Sequence, residues 1–493
     1  MDIIAQIDHW AEVSPDKAAH VSGERSLSYK ELRSQSDAVA AYLAKELPEG
    51  RKPVAVLGHR EPEMLVAFLG CIKAGHPYIP VDTVLPKARM DRILSAASFT
   101  LTPEIVAKIA GSGGLAAAAP RVVLGMEDPW YIMFTSGSTG DPKGVVLTRR
   151  CLESFVEWFL AEQKFRVQEE TFLNQTPFTF DLSIMDVYCG LYTGGTVFSI
   201  SRDTFANPKR LFQALAASNA TVSLATPSFF RVCLSEPTFR ATMMPRMRKF
   251  LFCGETLPPG VPAQMLERFA DAELWNTYGP TEATVAMTSV RLTREILERY
   301  PAVPVGAPMP GVKVYLIDEA LEPLPDDGRD GRGEIVIAGP NVTPGYLNAP
   351  ERTAAAFVCH EGRRGYRTGD HGYFRDGYLF CEGRKDGQIK LNGYRIELGD
   401  IETHLRGLAG VNEAIVLPVI KDGAAQSLTA FVHATGGPQE QDSQRTARLK
   451  AALLERLPTY MLPRKFVYVE EFPVTPNGKV DRLQLAKSLA APV

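Results

Sequence analysis

The chain has 493 residues, of which 45% are hydrophobic and 23% charged, an ordinary balance for a globular protein with large buried cores. At roughly 150 residues per domain, this length suggests about three folding units. A formal net charge of -3 carries no basic excess of the kind that attracts nucleic acid or an anionic membrane, so neither is expected as a partner.

The opening segment MDIIAQIDHW places Asp2 and Asp8 where a signal peptide would carry positive charge and then an apolar run. Ser28 and Glu31 form a capping-box pattern, and Leu32, Val39, Tyr42 and Leu43 follow at helical spacing. Val54–Leu57 is a short apolar run ending at Gly58 and predicts a buried strand. A helix is predicted over 63–73 and another strand over 78–82. Strands alternating with helices of this length predict α/β layers with parallel pairing. Residues 111–120, GSGGLAAAAP, are a low-complexity surface connection.

Next comes an apolar strand running into Thr135-Ser136-Gly137-Ser138-Thr139-Gly140-Asp-Pro-Lys143-Gly. Glycines let backbone N–H groups approach an anion, hydroxyls donate to phosphate oxygens, and Lys143 adds a point charge, which together suit a polyphosphate. This is no Walker loop, because Pro142 stands five positions after Gly137 and Lys143 is followed by Gly144. In PFTFDLSIMD, Asp181 lies among apolar neighbours, where a carboxylate is costly unless it meets a cation. The uncharged stretch before Arg231, from Leu211 to Phe230, is too polar to cross a bilayer and predicts a helix followed by a strand.

After Pro301 short strands separated by turns predict a β-rich subdomain over about 301–385. From 386 to 493 strands at 387–392, 413–418 and 427–433 mix with a helix whose apolar face carries Leu449, Leu453, Leu454 and Leu457. The expected fold is therefore α/β: a large core over 1–385 and a smaller α+β domain over 386–493. Seven scattered cysteines contain no CxxC pair, which suggests reduced thiols in a cytoplasmic protein.

The phosphate-binding string has company: KAGHPYIPVD from Lys73, NTYGPTE from Asn276, YRTGD from Tyr366, GRKD from Gly383, NGYRIE from Asn392 and PNGKVD from Pro476. Seven ordered segments resemble the adenylate-forming superfamily, which includes acyl-CoA synthetases and peptide synthetase adenylation domains. That resemblance implies ATP and Mg²⁺ as cofactors and a mobile C-terminal domain. It assigns nucleotide contacts to the phosphate-loop residues above and to Asn276, Thr277, Tyr278, Gly279, Pro280 and Thr281. It gives the metal to Glu282, the ribose to Asp370 and Arg384, and the reacting carboxylate and α-phosphate to Lys479. Asp386 becomes the hinge, and Gly393 lines a tunnel for a thiol.

The resemblance also implies that Asp181 binds a substrate ammonium group. PFTFDLSIMDVY, FLFCGETLP, NTYGPTEATVAMTSV and YMLPRKFVY are similar to the D-alanine–D-alanyl carrier protein ligases, which supply D-alanine for lipoteichoic acid. That family implies a small pocket edged by Cys253 and Val285 around a methyl side chain, and a phosphopantetheinylated carrier protein as partner. The alternative is a free-standing peptide-synthetase-type enzyme for another small amino acid. His76, Met287 and the short, alanine-rich stretch over 97–130 depart from the family pattern.

Overall fold

The computed structural model describes residues 1–112, 122–137, 142–325, 331–360, 362–384, 387–421, 424–434, 441–473 and 480–490. Ser138, Thr139, Gly140, Asp386, Lys479 and most of the 111–120 stretch lie outside the described residues. The chain divides into two compact units. One comprises Met1–Thr83, Leu94–Phe134 and Gly144–Gly383; the other comprises Val84–Ile93, Thr135–Lys143 and Arg384–Val493.

Two sheets build most of the first unit. The strands Val54–Gly58 and Tyr78–Asp82 pair in parallel, Val54 opposite Tyr78, and the helix Pro62–Lys73 joins them. Both faces of these strands are covered, so their apolar runs are unbroken rather than alternating. They belong to a six-stranded sheet that also holds Pro129–Thr135, the strand that leads into the segment expected to bind phosphate.

Ser28 begins the helix Tyr29–Glu46 with both halves of the capping box in place. The buried Lys73 pins this helix to the first one, Ile3–Val13: its ammonium donates to Asp8 Oδ1 at 2.8 Å, Asp37 Oδ1 at 2.6 Å and Ser36 Oγ at 3.0 Å. Three donors meet three acceptors, so the buried cation is fully satisfied.

The second sheet has nine strands, with Thr171–Asn174, Val222–Ala225, Lys249–Phe252 and Glu273–Tyr278 adjacent and parallel at its centre. Parallel neighbours bring their carboxyl ends to one edge, where open α/β sheets place their ligand sites. Asn174, Ala225, Phe252 and Tyr278 end these strands. The 211–230 stretch holds the end of the helix Pro208–Ala217, the strand Val222–Ala225 and the start of the helix Pro227–Leu234. An antiparallel five-stranded sheet follows, containing the long strand Arg363–Arg375 that carries Asp370.

In the second unit a hairpin of Gln388–Leu391 and Tyr394–Glu397 precedes a three-stranded sheet built from Val411–Lys421, Ala424–Ala434 and Lys465–Tyr468. The helix Asp442–Leu454 buries Leu449 and Leu453, and Leu457 is buried just beyond its end. Leu454, expected on the same face, is instead 45% exposed. One residue after Leu453 the helix has turned about 100°, which carries Leu454 off the apolar stripe.

A chain of buried polar groups crosses the nine-stranded sheet. Ser199 Oγ donates to Asn174 Oδ1 at 2.9 Å, so it can only accept from His20 Nε2, also at 2.9 Å. His20 is therefore the neutral Nε2–H tautomer, held down to about 3 by burial and by the charge of Arg25. Below about pH 6.5 the unfolded chain protonates this imidazole and the folded chain does not, so stability falls as pH falls toward 3. Urea midpoints measured at about pH 7 and about pH 4.5 should drop more for the wild type than for His20→Gln, which has no titrating ring. Equal drops would show that His20 does not carry this dependence.

Candidate active site

The segment expected to bind phosphate begins where Pro129–Thr135 ends. Trp130, Tyr131, Ile132 and Met133 are buried, which fixes the strand rigidly up to Thr135. Ser136 Oγ donates to the Arg395 carbonyl at 2.6 Å, and Lys143 opens the next strand, Lys143–Thr148. Arg384 closes the strand Tyr378–Arg384. Gly393 sits in the two-residue turn of the 388–397 hairpin with φ +83°, beside Asn392 at +52°. Asn-Gly with both φ values positive matches the twist of a tight hairpin, so the turn itself favours glycine or asparagine here. Thr135, Ser136, Gly137, Lys143, Arg384 and Gly393 all belong to the second unit.

In the first unit, Tyr278 and Asp370 meet directly: the phenol donates to Asp370 Oδ2 at 2.6 Å. Burial, and then the neighbouring carboxylate charge, push the Tyr278 phenol well above its usual range, so it remains a donor. Asn276 Nδ2 donates to the Pro304 carbonyl at 2.8 Å and Thr277 Oγ1 to the Phe252 carbonyl at 2.9 Å. Both side chains thus brace the sheet edge on which Tyr278 stands. Gly279 has a packing reason: a Cβ there would lie 2.6 Å from Ala286 Cα and 2.9 Å from the Val285 carbonyl oxygen. It is the returning turn that forces a glycine at this position.

Pro280 leads into a short helical turn, Thr281–Ala283, that buries Glu282 completely. The Tyr346 hydroxyl donates to Glu282 Oε1 at 2.8 Å, and the Thr343 N–H donates to the Glu282 carbonyl at 2.8 Å. A single carboxylate oriented by a phenol suits Mg²⁺, a hard ion that usually takes one or two carboxylates and completes its shell with water and phosphate oxygens. Among the described residues no group of three or more His, Cys, Asp and Glu could hold a metal by itself.

Asp181, expected to bind the substrate amine, is half-buried at the start of the short helix Leu182–Ile184; burial, and then the Asp181 charge, raise the Tyr131 phenol. A π-helical turn, Met185–Cys189, follows directly. Such turns widen a helix by one residue and are frequent at functional sites. This turn buries Asp186, which accepts from Asn174 Nδ2 at 3.1 Å, and burial pushes its carboxyl well above the usual range. Cys253 follows the strand Lys249–Phe252 and is buried, with its thiol 3.9 Å from the Val285 carbonyl oxygen. Of the seven cysteines, Cys359 is exposed, Cys381 is partly exposed and the other five are buried.

Tyr346, Thr343, Tyr131 and Asp186 carry no chemical signature in the sequence. The first two come from a segment about 60 positions away that reaches Glu282 only through the fold.

The family model for AMP-binding enzymes matches residues 7–103 and 102–347, and that for the AMP-binding enzyme C-terminal domain matches residues 400–479. The chain belongs to the AMP-binding enzyme family, as an ATP-dependent, AMP-forming ligase. It is 44% identical to the D-alanine--D-alanyl carrier protein ligase of Bacillus thuringiensis (strain Al Hakam) over 510 aligned residues, covering 100% of both chains. Identity to the enzyme of that name from Bacillus anthracis (strain CDC 684 / NRRL 3495) is also 44%, over 509 aligned residues and all of both chains. Among solved structures, it superposes with TM-score 0.82 on an NRPS protein containing adenylation and PCP domains, at 28% identity, covering 99% of this chain and 84% of that one. The Vibrio cholerae adenylation domain AlmE, in complex with glycyl-adenosine-5'-phosphate, shares the fold with TM-score 0.85 at 22% identity, covering 99% and 98%.

The Tyr278–Asp370 bond joins two segments 92 positions apart in a buried setting. Tyr278→Phe removes a hydrogen bond to a charged group and should destabilise the protein by about 1.5–3 kcal/mol. A urea midpoint shift with an unchanged slope checks this. A midpoint equal to wild type would show that the bond contributes nothing to stability.

Proposed function

We propose that the chain activates D-alanine with ATP, releasing pyrophosphate, and transfers the D-alanyl group to the phosphopantetheine thiol of a carrier protein. The observation that carries this reading is the full-length match, at 44% identity, to ligases of that name. A cytoplasmic enzyme that supplies D-alanine for the D-alanylation of cell-wall teichoic acid is the setting this reading implies. Among the described residues no helix is long and apolar enough to cross a membrane.

In the first half-reaction the D-alanine carboxylate attacks the α-phosphorus and pyrophosphate leaves. No general base is needed, since the nucleophile is already an anion. Asp181 holds the ammonium group, and Cys253 and Val285 close around the methyl. Tyr278 faces the adenine, and Asp370 with Arg384 takes the ribose hydroxyls. Thr135, Ser136, Gly137, Ser138, Thr139, Gly140 and Lys143 cradle the phosphates, with backbone from Asn276, Thr277, Gly279, Pro280 and Thr281 framing the nucleotide. Glu282 would hold Mg²⁺, which neutralises phosphate charge when bound. Lys479 bridges the carboxylate and the α-phosphate as negative charge builds there. In the second half-reaction the carrier thiol attacks the acyl carbon and AMP leaves. The domain over 386–493 turns about Asp386 between the two, withdrawing Lys479 and bringing Gly393 beside the incoming thiol.

Pyrophosphate exchange across a panel of D- and L-amino acids tests the substrate: D-alanine should be preferred. A preference for L-alanine, L-serine or L-proline would favour the peptide-synthetase-type alternative. Asp181→Ala should abolish exchange while ATP binding persists, and near-wild-type exchange would remove Asp181 as the amine anchor.

The half-reactions should separate by mutation. Lys479→Ala should lower adenylation on the order of 10²-fold or more yet still transfer D-alanine from supplied D-alanyl-adenylate. Gly393→Asn tolerates a positive φ but adds a side chain, and should spare adenylation while blocking transfer. Equal losses in both steps for both variants would indicate one fixed active site.

A further inference from the structure

The turn that carries Val285 has an uncommon backbone. Thr284 has φ +56° and ψ +83°, and Val285 has φ +65°. Positive φ is disfavoured for every residue with a side chain, and most of all for β-branched ones, yet here two β-branched residues adopt it in succession. The Ala286 N–H donates to the Thr284 carbonyl at 2.8 Å, closing a three-residue turn centred on Val285. Left to itself such a turn would relax and carry Val285 with it.

Asn341 is placed to prevent this. It is fully buried, its Nδ2 donates to the Ala283 carbonyl at 2.8 Å, and its own carbonyl accepts from Thr284 Oγ1 at 2.7 Å. The side-chain bond holds the peptide unit that enters the strained pair, and the bond to the Asn341 main-chain carbonyl holds the Thr284 side chain itself. Beyond it, the Val285 carbonyl oxygen faces the Cys253 thiol at 3.9 Å.

We propose that Asn341, acting with the Thr284 hydroxyl, is a positioning residue for amino-acid selectivity. It holds Val285 in a high-energy turn, and so fixes the wall that limits the substrate side chain to a methyl group. This rests on the functional reading above. Asn341 touches neither substrate nor nucleotide in this account. Glu282 keeps its own support from Tyr346 and Thr343, so the ATP side of the turn stands without Asn341.

The test is pyrophosphate exchange with D-alanine and with D-2-aminobutyrate, which is one methylene larger, on Asn341→Ala, Thr284→Val and Thr284→Ser, alongside thermal melts. A well-fitted wall discriminates about tenfold or more per methylene, so Asn341→Ala should cut the kcat/KM preference for D-alanine by about tenfold. It should do so mainly by raising the KM for D-alanine, with the KM for ATP unchanged. Thr284→Val has the shape of threonine but no hydroxyl and should behave the same way. Thr284→Ser keeps the hydroxyl and should retain the preference.

Wild-type preference and D-alanine KM in both Asn341→Ala and Thr284→Val, whatever the melting temperatures, would overturn the inference alone. If Asn341→Ala does not fold, the valine and serine variants decide the matter between them. A wild-type enzyme that does not activate D-alanine at all would overturn both this inference and the functional reading it rests on.

Discussion

Between Tyr278 and Met287 the chain leaves the sheet edge, turns twice and returns, almost entirely out of reach of water. Every polar group in that excursion must then find a partner inside the protein, because an unpartnered buried donor or acceptor costs on the order of 1–3 kcal/mol. The partners come from within the excursion and from outside it. Met287 N–H returns to the Tyr278 carbonyl, closing the excursion on itself. Asn341, Thr343 and Tyr346 supply further partners from a segment whose last two residues, Gly345–Tyr346, are a strand of the neighbouring sheet. The two sheets of the first unit are thereby tied together at the point where the chemistry is expected.

One consequence is that the residues proposed for the metal and for the amino acid are braced from one short segment. Glu282 and Val285 are three positions apart on one turn; Thr343 and Tyr346 hold Glu282, and Asn341 holds Ala283 and Thr284 just before Val285. A carboxylate proposed for the metal and a wall proposed for the methyl group therefore stand on one turn with separate supports, so either can be disturbed while the other stays in place. Such bracing is the preorganisation that differential stabilisation of a transition state requires. Backbone strain at Thr284 and Val285 is tolerated because the surrounding bonds overdetermine the turn.

Much of this was legible in the sequence because the signals are local. The capping box at Ser28, the unbroken apolar strands at 54–58 and 78–82, and the phosphate-binding string each depend on neighbours within a few residues. The support for the turn is not local. Nothing in GPNVTPGY distinguishes Asn341 from an ordinary loop asparagine, since its importance arises from a partner about 57 positions earlier. Gly279 and Gly393 show the converse case. Both were visible as motif glycines, but the structure supplies reasons the motif did not: a returning backbone at one, a tight hairpin turn at the other. Leu454 was misplaced because four leucines within nine residues cannot all share one narrow stripe.

The distribution of thiols has a practical use. Cys359 lies on the strand Phe357–His360 of the antiparallel sheet and is the one exposed cysteine, while five others are sealed in cores and Cys381 is partly covered. A maleimide dye added to the native protein would attach at Cys359 first, without prior removal of the other cysteines. One further cysteine introduced on an exposed position of the second unit would complete a donor–acceptor pair. Single-molecule fluorescence could then follow the distance between the two units during turnover, reported from natural chemistry on one side and a single substitution on the other.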